Sequence, residues 1–166
     1  MSLHIKSILF ILFFLNSSTF FGQINTPPTV TAVGDQIYCP QSQQRIVTSF
    51  NIVDPDDTLI PAFYIQISSG YVVGQDQLSL IGSHPNVVAN WNANQAKLTL
   101  TGVSGSSPTY TEIIAAVYDV VFSSTNINVG TKTFSLTAGS ANYLASTDHY
   151  YDYVPANLIS WEDARV

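Results

Sequence analysis

Three carboxylates fall within four positions, Asp54, Asp56 and Asp57, around Pro55. Ca²⁺ takes about six to eight oxygen ligands, several of them carboxylates, so this DPDD corner supplies part of a shell. Asp35, or Asn25 upstream, adds an oxygen if the chain folds it nearby. The alternative is an Asp/Pro turn whose side chains accept backbone N–H bonds and hold no ion. The corner lacks the ligand spacing of an EF-hand loop. His84 and His149 are far apart, and His149 has Asp152 at i+3 as its one metal-type companion. Glu112 and Asp119 bracket a predicted helix, which gives both a structural task. There is no Gly-x-Ser-x-Gly, no zinc motif and no phosphate loop, so the chain is expected not to be an enzyme. Tyr71, Trp91, Tyr110, Tyr143, Tyr150, Tyr151 and Tyr153 offer ring faces that stack on sugars, although their scatter also suits core and rim packing.

The elements that must carry these groups read as strands. The 166 residues hold 11 acidic and 5 basic side chains, a formal net charge of −6. Sparse charge with many β-branched and aromatic residues favours sheet. The acidic balance argues against nucleic acid and against anionic lipid surfaces. Phe50 and Ile52 end one strand before the DPDD corner. Phe63, Ile65 and Ile67 share one face of the next, with Tyr64, Gln66 and Ser68 on the other. Leu78 and Leu80 alternate with Ser79. Val87–Trp91 and Leu98–Leu100 form a hairpin around Asn92–Gln95, with Trp91 across from Leu98 or Leu100. Thr109 and Glu112 have capping-box spacing for a helix over Thr109–Tyr118, whose stripe is Ile113, Ala116 and Val117. Val120 and Phe122 open a strand, and Phe134 and Leu136 point inward from Thr133–Ala138. Gln41–Gln44 reads as a polar turn between Tyr38 and a strand over Ile46–Val53. Seven or eight short strands with turns between them predict an all-β, antiparallel Ig/cadherin-like sandwich with one short helix, its two layers running from about Thr29 to Ala138.

The ends read differently. Lys6 followed by the apolar run Ile8–Leu15 and a small-residue exit is a signal peptide over 1–22, cleaved near Gly22/Gln23. That run is too short to span a bilayer comfortably, so an exported chain that does not span the membrane is expected. The sandwich occupies 23–139, with Cys39 its lone cysteine, expected as a buried thiol. Residues 140–166 read as a linker and an incomplete α+β fragment. In it His149–Val154 is an aromatic strand, Pro155–Leu158 a turn, and Ser160 the cap of a helical start through Ala164.

The DPDD corner, the KLTLTG strand (Lys97–Gly102), the helix at Thr109–Tyr118 and DVVFSS…GTKTFSL (Asp119–Leu136) resemble bacterial cadherin-like, proteoglycan-type repeats. HYYDYV…ISWEDAR (His149–Arg165) resembles the truncated start of a C-type lectin-like domain. Together they resemble secreted multidomain surface proteins of gliding gram-negative bacteria. The resemblance implies an extracellular or cell-surface adhesion or spacer module that presents a lectin-like neighbour. Its partners would be extracellular glycans or surface proteins, besides neighbouring domains of a longer chain. A carbohydrate-binding module is the second reading, and an accessory part of a polysaccharide-degrading enzyme the third. The lectin family's Glu-Pro-Asn and Trp-Asn-Asp motifs are absent, so sugar binding is not assigned to the tail.

Overall fold

Apolar alternation builds the strands, and ring contacts across the interior join them into two layers. The computed structural model describes residues 26–128 and 130–139, and the backbone of 154–163. The expected signal peptide, and the aromatic segment His149–Tyr153, lie outside the described residues. Among the described residues eleven strands follow one another: β1 (Thr29–Val33), β2 (Ile37–Tyr38), β3 (Gln43–Arg45), β4 (Ser49–Val53), β5 (Ala62–Ser69), β6 (Asp76–Leu80), β7 (Val87–Asn92), β8 (Lys97–Gly102), β9 (Val120–Ser124), β10 (Thr131–Gly139) and β11 (Val154–Asp163). The helix α1 (Tyr110–Tyr118) stands between β8 and β9.

One layer is a six-stranded sheet in the order β2-β11-β10-β5-β8-β7. The pair β1-β4 and the trio β3-β9-β6 face it. Phe50 on β4 meets Phe63 on β5 edge to face at 5.4 Å, and Phe122 on β9 meets Phe134 on β10 at 5.6 Å. These aromatic pairs tie each smaller sheet to the large one, as expected of a sandwich core. The fold is therefore an all-β sandwich with one helix.

The inward residues expected from alternation are buried, except that Leu80 is half-buried at its margin. Val30, Tyr38, Ile46, Val47 and Ile60 join them. Trp91 pairs with Leu98 across the β7-β8 hairpin. Tyr64, expected on the outer face, is nonetheless buried, beside Thr137 and Thr99 in register and under the Lys97 ammonium at 5.2 Å. Burial in turn holds the Lys97 ammonium below its usual pKa range.

Helix α1 begins with a complete capping box: Thr109 accepts from the Glu112 amide, and Glu112 accepts from the Thr109 amide. Ile113, Ala116 and Val117 are its buried stripe. Its last residue, Tyr118, uses its hydroxyl twice on β4, accepting from Phe50 N at 3.0 Å and donating to Phe50 O at 3.2 Å. A side chain thus closes backbone groups on a strand edge that β1 leaves unpaired.

Several expectations are corrected. The polar turn assigned to Gln41–Gln44 is a turn followed by β3, which pairs with β9. Pairing along the backbone needs no apolar side chains, so composition concealed it. The strand assigned to Ile46–Val53 is narrower: it starts at Ser49, while Ile46 and Val47 leave β3 and turn into the core. Cys39 is exposed rather than buried. Tyr38 takes the inward position, and strand alternation turns its neighbour outward. The turn at Pro155–Leu158 and the helical start at Ser160 are instead strand β11, antiparallel to β10 and parallel to β2. A helix of that length is marginal alone, whereas a strand there satisfies the outer edge of β10.

Candidate functional site

The acidic corner forms because Pro55 ends β4 and Asp54 folds the chain back on itself. One Asp54 oxygen accepts from the amides of Asp56 at 3.1 Å and Asp57 at 2.9 Å. The other accepts from the Tyr110 hydroxyl at 2.6 Å, which locks the corner to the first turn of α1. Tyr110 N → Thr58 O and Ile60 N → Pro108 O fasten the following segment to the same helix start. Asp56 accepts from the amide of Thr26 at 2.9 Å.

Electrostatics follow from these bonds. Burial pushes the Asp54 carboxyl up. The Tyr110 hydroxyl and the two amides more than offset this, so its pKa lies below the usual carboxylate range. Burial, the bond to Asp54 and the nearby carboxylate charges all push the Tyr110 phenol far above its ordinary value.

The structure brings Asp54, Asp56 and Asp57 together, with one oxygen from each inside a 4.8 Å group. Asp54 is largely committed to turn bonds. The second Asp56 oxygen is buried and has no hydrogen-bond partner among the described residues. The corner is therefore an Asp/Pro turn in which one Asp56 oxygen is left uncommitted. No bond joins Asp35 to this group among the described residues.

Among the described residues, Asp119, His84 and Glu112 make bonds that hold the fold, while His149 lies outside them. Asp119 caps the C-terminus of α1 and accepts from Arg45 at 2.7 Å. Its other oxygen meets His84 Nε2 at 3.2 Å. Glu112 is held below its usual range by the Asn86 amide and by its capping bonds to Thr109.

Sequence reasoning missed a second polar centre. Lys132, on β10, is buried and donates to Asp76 at 2.8 Å and to Gly70 O at 2.7 Å. Its side chain is 6% exposed and that of Asp76 is fully buried. Asp76 also accepts from Val72 N at 2.7 Å and from the Ser124 hydroxyl. Ser124 N in turn donates to Tyr38 Oη at 2.8 Å, and that hydroxyl donates to Ser124 O at 3.1 Å. Gly70 is required here: its φ is +76°, and a Cβ would fall 2.2 Å from Thr131 O. No local motif announces the network, because Asp76 and Lys132 lie 56 positions apart.

Above Asp76 opens a cleft of about 690 Å³ between the turn before β3, the start of β6 and Trp91 on β7. Tyr71 and Trp91, both singled out as stacking rings, meet at its edge in a T-shaped contact of 6.1 Å. Tyr110 and Tyr118 are not part of it. Tyr143, Tyr150, Tyr151 and Tyr153 lie outside the described residues.

No family model matches the chain. A stretch of 126 residues is 29% identical to Halomucin from Haloquadratum walsbyi. That match takes in 70% of this chain and spans about 1% of the length of Halomucin. Among solved structures, a chain of a type I cohesin–dockerin complex from Clostridium thermocellum aligns over 84% of this chain and 100% of its own. Its identity is 10% and the TM-score 0.46. A putative membrane anchored protein from Corynebacterium diphtheriae aligns over 87% of this chain and 37% of its own, at 9% identity and a TM-score of 0.35. Among the described residues no helix is long and apolar enough to cross a membrane.

Proposed function

We propose that the chain is a non-catalytic β-sandwich module of an exported, multi-module surface or secreted protein, where it spaces and presents neighbouring domains. The observation that carries this reading is one of scale. A module-sized stretch of this chain finds its counterpart inside about 1% of a far longer protein. A closed core beside which Asp54 is engaged in a turn, Glu112 in a cap and Asp76 in a buried ion pair supports a scaffold rather than a catalyst. The finer part of the proposal is that a neighbouring domain is C-type lectin-like, which rests on the resemblance of the tail alone because Val154–Asp163 pairs into the sandwich as β11, and that the acidic corner binds Ca²⁺. Adhesion to glycans or surface proteins would then belong to the assembled protein.

The test is export of the full chain from a gram-negative host. The expected result is a mature N-terminus near Gln23, and protein in the medium or open to protease on intact cells. An uncleaved chain retained inside the cell overturns the reading. So does turnover of polysaccharide or peptide by the purified chain.

A further inference from the structure

We propose that the cleft above Asp76 is a binding site for a neutral oligosaccharide. The module reading does not require this, and it stands on separate observations. The cleft is built from Gln41 and Gln43, Gln75 and Gln77, Ser123, and the half-buried indole of Trp91. Its volume, about 690 Å³, is in the range of small-ligand sites.

The chemistry of the lining selects the ligand class. Its one charged residue, Asp76, is already saturated by Lys132, Val72 N and Ser124. A charged ligand therefore finds no counter-charge in the cleft. What remains is neutral. Each glutamine amide offers two donors and an acceptor. The other described glutamines spend their amides on the protein: Gln44 on Gln36, Gln36 on Arg45 O, Gln66 on Gln95 O, and Gln95 on Asn92. The side chains of Gln41, Gln43, Gln75 and Gln77 make no such bond among the described residues.

The aromatic wall is fixed in place. Tyr71 meets Trp91 in a T-shaped contact, and its hydroxyl donates to Ala93 O at 2.7 Å. An indole face beside free amides and hydroxyls matches a sugar ring, which pairs an apolar C–H face with equatorial hydroxyls. The rim also carries strain. Gln41 holds φ +63°, a left-handed conformation uncommon for a residue other than glycine. Below it, the Lys132–Asp76–Ser124–Tyr38 network makes the floor rigid, so the site is pre-organised.

The experiment titrates the full mature chain with cellopentaose, xylopentaose, mannopentaose, maltopentaose and chitopentaose, by calorimetry and saturation-transfer NMR. Pentagalacturonate serves as the anionic control. At least one neutral pentasaccharide is expected to bind in preference to the control. Trp91→Ala should weaken it about ten-fold. Gln75→Ala/Gln77→Ala changes only exposed side chains, so it should weaken binding several-fold at an unchanged melting temperature. Absence of binding to every neutral oligomer at millimolar concentration overturns the proposal. Equal binding by wild type and the glutamine double variant, or preference for pentagalacturonate, overturns it too. Export and surface display are read independently, so either idea can fail alone.

Discussion

The acidic corner and the amide-lined cleft use their polar groups in opposite ways. At the corner the charges lie at the surface and belong to neighbours in sequence. Asp54 spends both oxygens on Tyr110 and two amides, and an Asp56 oxygen is left over. At the cleft the charges are sunk beneath the floor and cancel each other, and the leftover groups are neutral glutamine amides at the rim. What each region has to offer a ligand is set by what folding has not consumed. The corner has spare carboxylate oxygen, which suits a hard cation. The cleft has spare amide beside an aromatic face, which suits a hydroxylated neutral molecule.

The largest expected effect strikes the cleft floor. Lys132→Met leaves the Asp76 carboxylate buried without a counter-charge, which costs about 3–5 kcal/mol. The double variant Lys132→Met/Asp76→Leu removes both charges and should recover much of that loss. Urea unfolding at 25 °C measures both. If the single variant unfolds at the wild-type midpoint, the floor is not held by this pair and the contrast between the two regions disappears.

The corner should respond more weakly and with pH. Tyr110→Phe deletes a hydrogen bond to a charged but partly exposed carboxylate, worth about 1–2 kcal/mol at pH 7. Asp54 has a folded pKa below its unfolded value. Its contribution is therefore present above about pH 4 and is lost as pH falls through the lowered folded value. Tyr110 has the opposite sign. Its folded pKa is raised, so its contribution is complete below about pH 10 and is lost as pH climbs beyond that. Chemical unfolding of wild type and Tyr110→Phe from pH 3 to 11 checks both limbs. Parallel profiles for the two proteins would show that this bond does not govern the pH response.

How much of this was legible follows from chain distance. Phe50/Ile52, Phe63/Ile65/Ile67 and Leu98/Leu100 alternate within one strand each, so period two revealed the core faces directly. Thr109 and Glu112 sit three apart, and their capping box formed as spaced. The corner was legible for the same reason, since Asp54, Asp56 and Asp57 bond within one turn. The cleft was not, because its glutamines come from two distant turn-and-strand segments, Gln41/Gln43 and Gln75/Gln77, and its indole from a third element. Gln43–Gln44–Arg45 has no apolar alternation, so β3 emerges only from its pairing with β9. The tail misled for a different reason. Ser160, Glu162 and Asp163 satisfy helix-start preferences, but local preference is weaker than the open edge of β10 that β11 covers.

The smallest effect sharpens the comparison most, because it asks whether the corner's spare oxygen is used. Binding to the folded state alone stabilises it by about 1.4 kcal/mol when free ligand is ten times the dissociation constant. For a domain of this size that raises the melting temperature by about 3–6 °C. Wild type should show such a rise in millimolar CaCl₂ over NaCl of matched ionic strength, which subtracts simple screening of three close carboxylates. MgCl₂ should do less, since Mg²⁺ demands a tighter octahedron and sheds its water reluctantly. Asp56→Ala removes the unpartnered oxygen and should abolish the Ca²⁺ shift, beyond any loss from its bond to Thr26. Gln75→Ala/Gln77→Ala should keep the shift in full, because the cleft has no part in it. A wild-type melting temperature indifferent to Ca²⁺ would leave the corner as a turn alone, its carboxylates serving Tyr110 and the backbone.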